Sequence, residues 1–198
     1  MPAILTELHY LPAVPVFSEW TRAASVIFDV EEDFVRGSFR NRTSIYGANG
    51  RIELIVPVMS ARKKQKTRDV KVSYLENWPH VHWMSIRSAY RSSPYFDHYA
   101  DELERIYRSR PVFLADLNMK LAEFLIHAFR LPVRLGFADN RAQAINLTDR
   151  RNLHRPGNNE TSLRPYRQVF SDRHGFIPGL SAIDLLFNRR HDFGEYLS

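Results

Sequence analysis

Residues 4–30 change hydrophobic period twice, and that change constrains the fold more than anything else in the chain. Ile4 to Leu8 reads as a short strand. Val14 to Ala24 sets Val16, Phe17, Trp20, Ala23 and Ala24 at helical spacing, and Ser25 to Val30 is a compact apolar run of strand type. Strand, helix and strand in succession predict a βαβ unit, and such a unit commits part of the sheet to parallel strands.

The next region reads differently. Phe39 to Tyr46 and Arg51 to Val58 flank Gly47-Ala48-Asn49-Gly50, where Asn-Gly supplies the backbone freedom of a tight turn, so an antiparallel hairpin is expected. A further strand is expected at 70–74. From Trp78 the period becomes helical: Pro79 suits a first turn, Trp83, Ile86 and Tyr90 form a stripe, and Ser92-Ser93-Pro94 ends it. Tyr99, Leu103, Ile106 and Tyr107 mark a second helix, and Leu114, Leu117, Leu121, Phe124, Leu125 and Ala128 a third over 112–129. A short helix is predicted near 182–187. The 198 residues show no repeat and no linker that would divide them. The expected class is therefore α/β: one domain over 1–198, a mixed sheet with an N-terminal βαβ unit and a hairpin, packed against a helical C-terminal half.

Composition then removes whole classes of chemistry. With no cysteine, disulfides, thiolate metal sites and a cysteine nucleophile are excluded. No run approaches 18 apolar residues, and Glu7 and His9 stand where a signal peptide needs an apolar stretch, so a cytoplasmic protein without a membrane span is expected. The net charge of +6 favours anionic partners. Its densest run, Arg62-Lys63-Lys64-Gln65-Lys66-Thr67-Arg68, has no aromatic residue to stack a base, which favours a solvated connection over a nucleic-acid patch.

Candidate functional residues follow from their chemistry. Arg36, Arg40 and Arg42 recur at even spacing, so on an extended segment their forks would share one face and grip a carboxylate or phosphate, with Asn41 orienting it. A solvated basic strand face is the alternative. His80 and His82 diverge on a helix, which disfavours a metal pair. His82 alone, or His174 in the His174-Gly175-Phe176 loop, is a candidate acid or base, against the plainer role of capping or packing. Ser181 and Asp184 match a capping box, which competes with a ligand-binding role for Asp184. Asp149, Arg151 and His154 fall in the polar stretch 139–164, either a loop that closes on a ligand or a plain connector. Phosphate-binding loops, a dinucleotide fingerprint, a nucleophile elbow and an Asp-x-Asp pair are all missing. Neither a cofactor nor a metal is expected.

Tyr10-Leu11-Pro12 with Phe17, Arg40-Asn41-Arg42, Val56-Pro57-Val58, Trp78 to His82, Ala89-Tyr90, Pro94-Tyr95-Phe96, and the tail from Gln168-Val169-Phe170 through His174-Gly175-Phe176 to Asp184-Leu185-Leu186-Phe187-Asn188 resemble the WbqC-like family of bacterial proteins. The likeness runs through nearly the whole chain in order, with Glu7-Leu8 where the family often has Gln-Pro, and Arg36-Gly37 where it often has Lys-Gln. The family is named for a member found with O-antigen genes. The resemblance thus implies a group-transfer enzyme of bacterial surface-polysaccharide synthesis whose substrate is an anionic small molecule such as a nucleotide-linked sugar, and it adds Tyr10 to the ligand-binding candidates. The alternative is a non-catalytic carbohydrate- or nucleotide-binding protein of a biosynthetic assembly, with a basic nucleic-acid binder behind it.

Overall fold

A computed structural model describes residues 2–59, 64–138, 147–154, 164–190 and 192–197. The expected βαβ unit opens it. Strand β1 (Ala3–Thr6) leads through helix α1 (Val14–Thr21) to strand β2 (Ser25–Phe28), and β1 and β2 pair in parallel with Ile4 beside Val26. Pro15 in the first turn of α1 costs no hydrogen bond there, and Val16, Phe17 and Trp20 turn inward.

Strand β3 (Arg42–Gly47) and strand β4 (Gly50–Ile55) form the expected antiparallel hairpin. Gly50 closes the turn at φ +105°, which a side chain would resist. Helices α2 (Trp78–Tyr90), α3 (Phe96–Arg108) and α4 (Leu114–Ala128) follow in order. Strands β5 (Arg134–Phe137) and β6 (Leu147–Asp149) then return to β2 and β1, giving a four-stranded parallel sheet in the order β5-β2-β1-β6. Helices α5 (Ser171–His174) and α6 (Ala182–Arg189) complete the chain.

Several expectations change. The segment 36–41 is a run of turns and not part of a strand, because Gly37 takes φ +72° and the Asn41 N–H returns to the Ser38 carbonyl. Residues 71 and 72 contribute only isolated bridges to Phe113 and Val58. Strand β6 lies inside the stretch expected to be a polar loop, of which residues 139–146 and 155–163 fall outside the described ones, as do Arg62 and Lys63 of the basic run.

One core joins these parts. The ring of Phe17 on α1 meets Phe129 just past α4 at 4.9 Å, and Trp20 meets Phe28 of β2 at 5.2 Å. The C-terminal segment is stitched into the same core: the Val14 N–H donates to the Leu180 carbonyl, Ser181 N–H to the Ser44 carbonyl and Ala182 N–H to the Pro12 carbonyl. None of the helices among the described residues is long and apolar enough to cross a membrane.

Candidate functional site

Strand order places the site. The chain steps from β1 to β2 and then to β5 on one side, and β6 joins the opposite flank of β1, so the order reverses between β1 and β6. In open parallel sheets the crevice beyond the carboxyl ends of the strands at such a reversal is where ligands bind. Here three of the four strands deliver an acid to that edge: Glu7 follows β1, Asp29 follows β2 and Asp149 ends β6.

Basic groups arrive from elsewhere to meet them. Arg40, 4% exposed, donates from Nε and Nη2 to the two carboxylate oxygens of Glu32 at 2.5 and 2.6 Å, from Nη1 to Ser38 Oγ at 3.2 Å, and lies 3.8 Å from Glu7. Arg151 forks onto Asp149 and reaches Asp29 Oδ2 at 2.6 Å, tying β6 to β2 across the edge. The Glu7 carboxylate accepts from the Asn152 N–H at 2.8 Å and from Thr6 Oγ1 at 3.2 Å. Glu19 on α1 holds Arg150 through two 3.0 Å bonds and His154 Nε2 at 2.9 Å.

His9 sits among these charges. It is 2% exposed, its ring lies tilted beside Phe39 at 5.6 Å, and its Nδ1 is buried without a hydrogen-bond partner among the described residues. Burial pushes its pKa down to about 4, Arg40 and His154 act in the same direction, and Glu7 and Glu19 oppose them. At neutral pH His9 is therefore an uncharged imidazole whose Nδ1 is unpaired among the described residues. Burial raises Glu32 above the ordinary carboxylate range despite Arg40, whereas Glu19 and Asp149 are held below it: burial works against Glu19, but His154 and Arg150 outweigh it, and Arg151 controls Asp149.

The walls are fixed from behind. Residues 8–11 are buried, so their backbone groups need partners. Asn118 of α4 donates Nδ2 to the Arg40 carbonyl at 2.7 Å and reaches that of Leu8 at 3.4 Å, while Thr43 Oγ1 donates to the Leu11 carbonyl and Tyr10 N–H to that of Phe39. One helix thereby sets the spacing between the His9 loop and Arg40.

The residues expected from sequence divide among separate places. Arg40, Asp149, Arg151 and His154 belong to this edge. Arg36 is exposed in a turn, and Arg42 lies over Gly37, 3.5 Å from Glu53, so the three arginines do not share a face. Asn41 spends its amide internally, donating to the Val56 carbonyl and accepting from the Gly37 N–H.

Tyr10 and His82 form a different cluster. The Tyr10 hydroxyl lies 2.9 Å from His82 Nδ1 and 2.5 Å from the Tyr107 hydroxyl; His82 is also bonded to the Ile55 carbonyl, and burial pushes its pKa down to about 4. His174 is remote from both, with Nε2 2.9 Å from the Ala48 carbonyl at the hairpin turn. Asp184 does not cap its helix: Ser181 does that alone, and the carboxyl is fully buried, accepting from the Tyr166 hydroxyl at 2.6 Å and Gln168 Nε2 at 3.0 Å.

Glu7, His9, Glu19, Asp29 and Glu32 did not emerge from the residue pattern. A histidine inside Leu8-His9-Tyr10-Leu11 reads as packing, and the available signal was an acid directly after each apolar strand, which gains meaning only with the strand order.

The family model for WbqC-like proteins matches residues 8–155, three quarters of the chain and nearly all of this edge. The chain belongs to the WbqC-like family. An uncharacterized protein of Mycobacterium tuberculosis (strain ATCC 25618 / H37Rv) resembles this WbqC-like chain at 23% identity over 204 residues, covering 87% of it and 86% of the mycobacterial protein. No solved structure matches the chain. Among the described residues of this family member no cluster of three or more His, Asp or Glu side chains could hold a metal ion.

Proposed function

We propose that this WbqC-like protein is a group-transfer enzyme of bacterial surface-polysaccharide synthesis, with an activated or nucleotide-linked sugar seated at the carboxyl edge of the parallel sheet. The observation that carries the reading is His9: a buried neutral imidazole with a nitrogen unpaired among the described residues, ringed by charged groups from four separate chain segments at the strand-order reversal. Packing alone does not call for that arrangement, because a buried polar atom without a partner costs stability.

The charges suit the substrate class. Carboxylates accept from sugar hydroxyls, and guanidiniums such as those of Arg40 and Arg151 offset a phosphate. Because Glu32 and Glu7 already engage Arg40, anion capture requires an exchange of partners, in which the substrate phosphate takes a place beside a carboxylate that turns to a hydroxyl. The same exchange would have to uncover the buried His9 Nδ1, which would then accept the proton of the attacking hydroxyl as the activated group is transferred, the leaving group departing with the bonding electrons. His154, held by Glu19 at 2.9 Å, would return a proton.

The test is a panel of nucleoside-diphosphate sugars with acceptor sugars, followed by mass spectrometry of products, on the wild type and His9→Asn. Turnover should fall by about 100-fold in the variant with sugar-nucleotide binding retained. Unchanged turnover would remove His9 from the chemistry, and binding without any turnover would favour a carbohydrate- or nucleotide-binding protein.

A further inference from the structure

Strand β4 leaves part of one edge unpaired among the described residues. In the β3–β4 ladder Tyr46 faces Arg51 and Ser44 faces Glu53. The backbone groups of Tyr46 and Ser44 turn away from β4: the Tyr46 N–H donates to the Tyr90 hydroxyl at 3.0 Å, and the Ser44 carbonyl accepts from the Ser181 N–H at 2.9 Å. These are therefore non-hydrogen-bonded pairs of an antiparallel ladder, and the N–H and C=O groups of Arg51 and Glu53 point outward from the far edge.

Further along, that edge is occupied. The Ile55 carbonyl takes His82, the Pro57 carbonyl accepts from the Ser73 N–H, and the Met59 N–H donates to the Lys71 carbonyl. The backbone groups of Arg51 and Glu53 have no hydrogen-bond partner among the described residues. Beside them, β4 and α2 bound a groove of about 500 Å³ lined by Ile52, Val81, Met84 and Ala89. Ile52, Val81 and Met84 are 38%, 58% and 41% exposed, which is unusual for apolar side chains so close together.

We propose that this edge and groove bind an extended peptide segment of a partner protein, added to β4 as a third antiparallel strand of the hairpin sheet. The partner residue opposite Glu53 and the one opposite Arg51 each exchange two backbone hydrogen bonds. The residue between them faces the groove and is apolar, packing on Ile52, Val81 and Met84. Charge selects the rest: although Glu53 lies 3.5 Å from Arg42 and Arg51 Nη2 donates to the Pro178 carbonyl at 2.7 Å, a basic side chain stands across from Glu53 and an acidic one across from Arg51. The recognised segment reads basic, apolar, acidic from its N-terminus. This site is independent of the sheet edge that carries His9.

A fluorescein-labelled, end-blocked peptide Ser-Lys-Ile-Glu-Ser, titrated with the full chain and followed by polarisation, tests the proposal. Saturable binding is expected, weakened at least tenfold by N-methylation of the peptide lysine, which removes one strand hydrogen bond, and by Val81→Glu, an exposed position whose change should leave the melting temperature unaltered. Absence of binding, or binding indifferent to N-methylation, would overturn it. β4 itself reads Arg51-Ile52-Glu53, so sedimentation supplies a further arm. A doubling of the 23.2 kDa mass that Val81→Glu abolishes would replace the partner segment with a second copy of the chain.

Discussion

His9 and His82 are both buried imidazoles with pKa values pushed down to about 4, whereas a histidine in the unfolded chain titrates near 6.5. Between those values the unfolded chain binds protons that the folded one refuses. Their contribution to stability is therefore complete above pH 6.5 and is lost as the pH falls toward 4, on the order of 3 kcal/mol for each. Asp184 works the other way. Burial raises its pKa from 3.8 to about 6, despite the hydrogen bonds of Tyr166, Tyr90 and Gln168, so its contribution is complete below 3.8 and is lost as the pH rises through 6. Melting curves from pH 4 to 8 should show His9→Asn losing part of the acid destabilisation, and Asp184→Asn gaining on the wild type as pH rises from 4 to 7. Curves that stay parallel across that range would show these groups to be less buried than described.

Helix α4 shows what a pattern can and cannot reveal. Leu121 is fully buried in its apolar face, and Leu121→Ala should destabilise by about 2 to 5 kcal/mol in a denaturant titration. A cost below about 0.5 kcal/mol would mean that the face is not packed. That face was legible because six apolar residues keep helical spacing over 15 residues. Asn118 on the same helix was not, since its job is to bond two carbonyls from segments far away in the chain. The turns at 36–41 escaped for a local reason: even spacing of arginines predicts a shared face only if the backbone is extended, and Gly37 at φ +72° bends it. Strands β5 and β6, at four and three residues, are too short to display a period, and they exist because β2 and β1 offer them edges. Glu7 and Asp29 stayed hidden with them, because only strand order brings residues 7 and 29 beside the expected Asp149.

At the scale of the molecule, the family match ends at residue 155, but the core does not. Leu180, Ile183, Leu185, Leu186 and Phe187 are all 0 or 1% exposed, and Tyr166 and Tyr196 lie against one another at 5.5 Å. A chain ending at residue 155 should lose cooperative thermal unfolding and become protease-sensitive; retention of a sharp transition would show that the C-terminal part is an appendage. The strand order also governs when the protein becomes whole. Residues 25–28 must wait for 134–137, and residues 3–5 for 147–149, before either outer edge closes. Contacts of such long sequence separation make for slow folding. During synthesis the first two strands therefore leave the ribosome with only each other for company, and the carboxyl edge carrying His9 is finished after most of the chain has emerged. The contact that ties Asp29 to Arg151 across that edge can form only then, once residues 147–151 have emerged.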